Sequence, residues 1–511
     1  MKKRFFYLSL AVLMGFTGCA VSPADSRTTA PEQSGELPDS ISTAPEPRPK
    51  PPSEPLAMTV SDEPSVRRFL GFGAETDFYF TLNKNTERGV GPDDIALLTA
   101  RMAEMKLVTG RVFFSYNWWE PAEGRRGGMT AEWKDFLNSL TMMKNAGTEV
   151  NICPWGDYFA YAAWQEVSYG QRSPQGEAIA KTADSLCSML RHLIIDLGYT
   201  NVRYLTLVNE PDNQPENPYD HELYMELAVL VDRTLRDMGL RDNIYIVGAD
   251  ASAWGESVDR WFKKTFDSDT ERIFDGYASH TYAYKLPDMA KVGKWIKNRV
   301  DLLDKIRKHT DMIVGEFGMY GEENGTYWQP KSLTYEYGLF IGAFSLAAVN
   351  NGAAQILNWN LTDTYVTLDN SQMSSGDENF RTGYGLWQYK DFNWAAKPGF
   401  YSFSMLSSKT AAGDAVYPVT SENKDVFGSV FVSPSGELTL AVVNISDKAF
   451  LVTADVGDKF SGKTLKYYGF EENHLPADSK LIPSSDTAIV TGGQIGLYVP
   501  KYGMAVVSER Q

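Results

Sequence analysis

The chain has 511 residues, 43% of them hydrophobic and 13% aromatic, which is enough apolar material for one large core and a smaller one. Its 49 Lys and Arg against 65 Asp and Glu leave a formal charge of −16. That balance excludes a nucleic-acid partner, because phosphate recognition needs clustered cations, and leaves neutral ligands open.

The N-terminus reads as an address. Lys2, Lys3 and Arg4 precede an apolar run from Phe5 to Phe16, the length of a signal peptide and short for a membrane-spanning helix. The run ends in Phe16-Thr17-Gly18-Cys19, which resembles the bacterial lipobox, with Phe16 departing from the usual Leu. The resemblance implies that residues 1–19 are a lipoprotein signal peptide, that Cys19 is lipidated, and that the chain meets a membrane through that anchor. Ala20 rather than Asp after the Cys implies the outer membrane of a bacterial envelope. Residues 20–66 are rich in Pro, Ser, Thr and Glu and hold no aromatic residue. Such a segment is expected to be a disordered tether. Only Cys153 and Cys187 are then left, neither beside a metal-ligating residue, so stability is expected to come from the core.

From 67 to 412, short apolar runs alternate with longer amphipathic stretches. In chain order, strands are expected at Gly71–Gly73, Gly110–Phe114, Val150–Cys153, Tyr204–Val208, Ile244–Val247, Gly276–Ser279, Met312–Val314 and Gln355–Leu357. Helices are expected at Asp93–Lys106, after Pro92, at Trp133–Asn145, before Gly147, and at Ala178–Leu197, before Gly198. Further helices are expected at Leu223–Met238, Val292–Lys308 and Thr334–Val349. Eight strands with interleaved helices fit an α/β fold, the (β/α)8 TIM barrel. An open doubly wound sheet is disfavoured, since no glycine-rich dinucleotide fingerprint follows an early strand.

From 413 to 511 the helical stretches stop. Val426–Val432 and Leu438–Val443 have strand composition, with a Pro434-Ser435-Gly436 turn between them. The expectation is a C-terminal all-β sandwich that braces the barrel, since its strands show no evident row of exposed aromatics.

Catalytic groups of a TIM barrel sit at the C-terminal ends of its strands. The fourth expected strand ends in Val208-Asn209-Glu210-Pro211 and the seventh in Val314-Gly315-Glu316-Phe317-Gly318. Each puts a carboxylate where an apolar strand opens into a loop. A charge there must face a cleft, a partner or solvent, because unpaired burial is costly.

This arrangement resembles the clan A retaining glycoside hydrolases over the whole barrel. The resemblance implies Glu210 as acid/base, Glu316 as nucleophile and Asn209 as the partner of a sugar 2-hydroxyl. It also implies that Arg111 orients the nucleophile, that His280 and Tyr282 lie beside it, and that Trp359 is the platform under the sugar. Gly71-Phe72-Gly73 and Cys153-Pro154-Trp155 resemble family 30, Gly315-Glu316-Phe317-Gly318 resembles family 5, and Asn209-Glu210-Pro211-Asp212 is similar to family 39. No His ends the third strand, where family 5 carries one.

Aromatic side chains in the cleft loops are further candidates for stacking on sugars: Trp118, Trp119, Trp155, Tyr158, Tyr384 and Trp387. The connection from Asn360 to Lys390 is long enough to wall the cleft. Its Asp363, Asp369 and Asp377 lack the spacing of a calcium loop, so no metal and no cofactor is expected. The expected partner is a carbohydrate, cleaved by a retaining β-glycosidase. The alternatives are an inactive lipid-anchored glycan-binding protein and a transglycosylase sharing the first chemical step.

Overall fold

The computed structural model describes residues 53–155, 160–167, 173–213, 219–252, 255–283, 285–307, 310–319, 329–365, 382–472 and 474–510. The signal peptide, Cys19 and most of the tether, with Tyr158, Asp369 and Asp377, lie outside them.

Eight parallel strands close a barrel: β2 (Gly71–Glu75), β3 (Thr109–Phe114), β4 (Glu149–Pro154), β5 (Val202–Thr206), β6 (Tyr245–Ala251), β7 (Gly276–Ala283), β8 (Asp311–Met319) and β9 (Ala353–Asn358), with β9 pairing back onto β2. An earlier strand, β1 (Glu54–Val60), lies outside the barrel. All eight expected barrel strands are present. Their runs are buried on both faces, as barrel strands under a ring of helices must be. The six expected helices form, over Pro92–Met105, Ala131–Ala146, Ala178–Arg191, His221–Asp237, Met289–Ile306 and Tyr335–Asn350. Helices Gly255–Ser268 and Pro398–Ser407 were not anticipated. The helix at Ala131 starts where Thr130 accepts the Trp133 N–H and stops at Gly147, whose φ of 76° suits a residue without Cβ.

The C-terminal region contributes β10 (Ala415–Ser421), β11 (Val426–Val432), β12 (Leu438–Asn444), β13 (Phe450–Asp455), β14 (Thr464–Glu471), β15 (Asp486–Ile489), β16 (Gln494–Val499) and β17 (Gly503–Ser508). They form one mostly antiparallel sheet in the order β15-β14-β17-β12-β11-β10-β1-β13-β16. It is a single nine-stranded sheet rather than two separate ones, and its two halves share one core. Leu440, Val442 and Val507 from one half meet Val452, Ile495 and Leu497 from the other.

β1 corrects the expected tether, which was drawn through residue 66. Glu54–Ala57 pair only with β13, Thr59 and Val60 only with β10, and Met58 with both. Met58 is buried, and Leu56 and Val60 pack beside it, the alternation of a half-buried strand. Pro55 falls on the stretch paired on one side only, where its missing N–H is tolerated. Val66 is also buried and bridges to Val416.

The sheet meets the barrel on helix Tyr335–Asn350, which follows β8. This helix is buried on every side from Tyr337 to Val349, the pattern of a helix sandwiched between two cores. Gly342 lets it approach the sheet, since a Cβ there would lie 3.0 Å from Val443. Asn350 donates to the Gly428 carbonyl at 2.7 Å and accepts from Ser429 Oγ at 2.7 Å.

The long segment after β9 is anchored by a buried ion pair. Lys397 Nζ lies 2.6 Å from Asp363 Oδ1, with side chains 1% and 3% exposed. The ammonium also donates to Ser332 Oγ and the Gly383 carbonyl, both at 3.0 Å. Removing one partner leaves a buried charge unpaired, so Asp363→Ala is expected to cost about 3–5 kcal/mol. Denaturant midpoints check this, and adding Lys397→Met should recover most of the loss. An unchanged midpoint in the single variant would show that the pair does not anchor the segment.

Candidate active site

The C-terminal mouth of the barrel gathers charged and polar groups around one guanidinium. Arg111, in the middle of β3, is fully buried. Its Nη1 donates to Glu75 Oε2 at 2.7 Å and to Glu316 Oε1 at 2.8 Å. Its Nη2 donates to Asn209 Oδ1 at 2.6 Å and Asp250 Oδ2 at 2.9 Å, and Cys153 Sγ lies 3.3 Å away. A buried cation of this kind is stable only because several acceptors share it.

A second hub is His280 on β7, also fully buried. Its Nδ1 is 2.7 Å from Glu210 Oε1 and 3.3 Å from Glu316 Oε2. Its Nε2 faces Asp250 Oδ1 at 3.3 Å. Tyr282, two residues on, donates its hydroxyl to Glu316 Oε2 at 2.9 Å. Glu210 Oε2 accepts from Asn213 Nδ2 at 2.8 Å. Two carboxylates from opposite sides of the barrel therefore meet at one imidazole.

The electrostatics follow from burial. Burial pushes the Glu316 carboxyl up to about 7, Glu210 and Glu75 push the same way, and His280 and Arg111 pull against them. For His280, burial opposes the charged form, but Glu316, Asp250 and Glu210 outweigh it and hold the imidazolium well above its usual range. Burial would also raise Asp250, yet Arg111 and His280 keep it below the usual carboxylate range. Glu75 goes the other way, raised by burial and by its neighbour Asp77.

Local backbone serves this crowding. Glu210 sits at φ 40°, and Ala249 and Asp250 at 61° and 37°, left-handed conformations that cost non-glycine residues of order 1–3 kcal/mol each. β6 slips register against β7 between Gly248 and Ala251, which aims Asp250 inward. Gly315 is needed beside Glu316, because a Cβ there would stand 2.7 Å from Asp250 Oδ1.

Of the expected site residues, Glu210, Glu316, Asn209, Arg111, His280 and Tyr282 come together. Trp155 and Trp359 flank Phe113, with ring centroids 4.4 and 5.9 Å from it, and the Arg111 guanidinium lies 4.9 Å from the Phe113 ring. Trp118 does not join them. A short helix at Tyr116–Trp119 turns its ring onto Phe114 and Phe136, where it is core. Trp119 packs on Trp133 and His192 in the same way, and Trp387 is buried against Phe400. Tyr384 is buried within electrostatic reach of Tyr282.

Four residues escaped the sequence reading of the site: Glu75, Asp250, Phe113 and Asn213. Glu75 and Asp250 each lie two or three residues beyond the apolar run that marked their strand. An acid just past an apolar run is the signal they share with Glu210 and Glu316. Cys153 and Cys187 are both buried free thiols.

No protein-family model matches the chain, and no curated protein sequence matches it. Solved structures do match its fold. The catalytic domain of the GH30 xylanase C from Talaromyces cellulolyticus superposes with a TM-score of 0.63 at 13% identity, covering 88% of this chain and 99% of that one. The GH51 arabinofuranosidase from Xanthomonas axonopodis pv. citri gives 0.61 at 13% identity, covering 89% and 99%. An endo-beta1,6-glucanase gives 0.62 at 15% identity, covering 89% and 94%. The structural neighbours are thus GH30, GH51 and related clan A glycoside hydrolases, with which this chain shares the closed barrel and the appended β-sheet.

Proposed function

We propose that the protein is a retaining β-glycoside hydrolase, with Glu316 as nucleophile and Glu210 as acid/base. The observation that carries this reading is the convergence of Glu210 and Glu316 on His280, with one oxygen of each within 4.8 Å of the other. Retaining hydrolases hold their carboxyl groups about 5–5.5 Å apart, whereas inverting ones leave about 6.5–9.5 Å for a water. The neighbours, a xylanase, an arabinofuranosidase and a glucanase, support a carbohydrate substrate without choosing among glycans.

The roles divide by environment. Glu316 is buried and held by Arg111 and the Tyr282 hydroxyl, which fix its carboxylate for in-line attack on the anomeric carbon. Glu210 is the more exposed of the two and can protonate the departing oxygen as the glycosyl–Glu316 bond forms. In the second step Glu210 takes a proton from water, whose oxygen displaces Glu316 and restores the anomeric configuration. Asn209 turns its amide oxygen to Arg111, which leaves its NH2 to donate to a sugar hydroxyl. Phe113, Trp155 and Trp359 supply an aromatic wall for the sugar ring.

The test is the full-length protein on a panel of xylans, arabinans and β-glucans, with reducing-sugar detection and NMR of the first-formed anomer. Release of reducing ends with retained configuration is expected. Inverted product overturns the retaining assignment, and silence across the panel overturns the hydrolase. Protonated Glu316 cannot attack, so the kcat/KM of the free enzyme should fall as pH drops through about 7. A limb in the ordinary carboxylate range would contradict that assignment.

The lipobox-like run at Cys19 supports attachment to the outer membrane. Cys19→Ser is then expected to move the protein from the membrane fraction to the soluble one, and unchanged fractionation would remove the anchor.

A further inference from the structure

One nitrogen of His280 and one oxygen each of Glu210 and Glu316 all lie within 4.8 Å of one another. Each of the three is held from behind. Glu316 Oε1 is taken by Arg111 Nη1 at 2.8 Å, which leaves Oε2 turned to the imidazole. Glu210 Oε2 is taken by Asn213 Nδ2 at 2.8 Å, which leaves Oε1. His280 Nε2 faces Asp250 Oδ1 at 3.3 Å, which turns Nδ1 to the two glutamates, and an ion bound there takes the place of the Nδ1 proton, which is released to solvent. A carboxylate behind the far nitrogen of an imidazole, and donors behind the far oxygens of carboxylates, are how proteins orient metal ligands.

We propose that this centre binds one divalent transition-metal ion, Zn2+, through Glu210, His280 and Glu316, and that the bound ion inhibits the enzyme. The donor set selects the metal. One imidazole nitrogen and two carboxylate oxygens match zinc, which takes N and O ligands and completes four with water. Calcium wants six to eight oxygens, and magnesium an octahedron rich in water. Zinc bonds of about 2.0–2.2 Å in a tetrahedron place neighbouring ligand atoms about 3.3–3.5 Å apart. The His280–Glu316 separation is already 3.3 Å, and Glu210 must swing, away from His280, now 2.7 Å off, and toward Glu316, whose oxygen lies within 4.8 Å. It is the ligand with room to do so, since its side chain is 19% exposed against 0% for His280 and 8% for Glu316. The Tyr282 hydroxyl keeps the second lone pair of Glu316 Oε2. The inhibition rests on the catalytic reading of the same two glutamates, whereas the binding does not. An ion held there occupies both the attacking and the protonating group.

The test is isothermal titration of the full-length protein with ZnCl2 in chelator-free buffer, with the visible absorption of Co2+ as a second probe. One ion per chain and an intense Co2+ band of low coordination number are expected. Affinity should fall at least tenfold in both Glu210→Gln and Glu316→Gln, with thermal melts confirming the fold, and stay unchanged in the exposed-helix control Glu222→Gln. No saturable uptake, or uptake unaltered in both active-site variants, overturns the proposal. With active enzyme, Zn2+ inhibition should be relieved by raising the substrate concentration, and inhibition indifferent to substrate overturns the shared site. Zinc binding without hydrolysis would sink the hydrolase reading alone, and hydrolysis without zinc binding would sink this one alone.

Discussion

Glu316→Gln is expected to lower kcat on the order of 10^4-fold or more, which corresponds to a barrier higher by about 5.5 kcal/mol, because an amide cannot form the glycosyl ester. The fold should survive. The substituted amide keeps the size of the native side chain, its oxygen can still accept from Arg111, and the Tyr282 hydroxyl can turn to accept from its NH2. Arg111 retains Asp250 as an anionic partner and Glu75 as an acceptor, so no buried cation is stranded. The loss should therefore appear in kcat and hardly in the melting temperature. Added azide separates the two glutamates. With an activated aryl glycoside, Glu210→Ala still forms the covalent intermediate, and azide should capture it with net retention. In Glu316→Ala azide must attack directly and should give the inverted glycosyl azide. Activity of Glu316→Gln within tenfold of the native enzyme would remove the nucleophile assignment, and a retained azide product from Glu316→Ala would exchange the two roles.

The second large effect concerns a segment far from the chemistry. A chain beginning at Asp62, and so lacking β1, is expected to lose at least about 3 kcal/mol of stability and much of its solubility. β1 is an interior strand, with five residue pairs to β13 and three to β10. Its removal uncovers the core beside Met58 and turns β10 and β13 into open edges, which template aggregation. A chain beginning at Ser53 should match the native midpoint. Denaturant titration and sedimentation of the two truncations decide the matter. Equal midpoints and equal solubility would mean that β1 contributes nothing.

The barrel was legible because its strands are continuous apolar runs and its helices carry amphipathic periods with Gly and Pro at their ends. The pair Glu210 and Glu316 was legible for the same reason, since a carboxylate closing an apolar run has few structural uses. β1 was hidden by its surroundings. The Pro-rich stretch ends at Pro55, and a window averaged over the tether conceals the alternation of Leu56, Met58 and Val60. Trp118 misled because an aromatic just past a barrel strand suits either a cleft or a core, and only the short helix at Tyr116–Trp119 chooses between them. Asp250 was hidden by geometry, since its inward aim depends on two left-handed residues and a register slip that composition does not encode.

The place of β1 also sets an order of events. Met58 pairs with Ser421, so the entire barrel lies between two neighbouring strands of one sheet. Wherever the chain threads out N-terminus first, β1 emerges before the barrel, and its partners β10 and β13 emerge only after the last barrel strand. The barrel strands need only one another, each joined to the next through a local crossover, and can assemble while β1 waits. The sheet closes late, and its loop-closure entropy is reduced only once the folded barrel has brought the two ends near. During that wait the prolines and charges around β1 keep a strand-forming segment from finding the wrong edge.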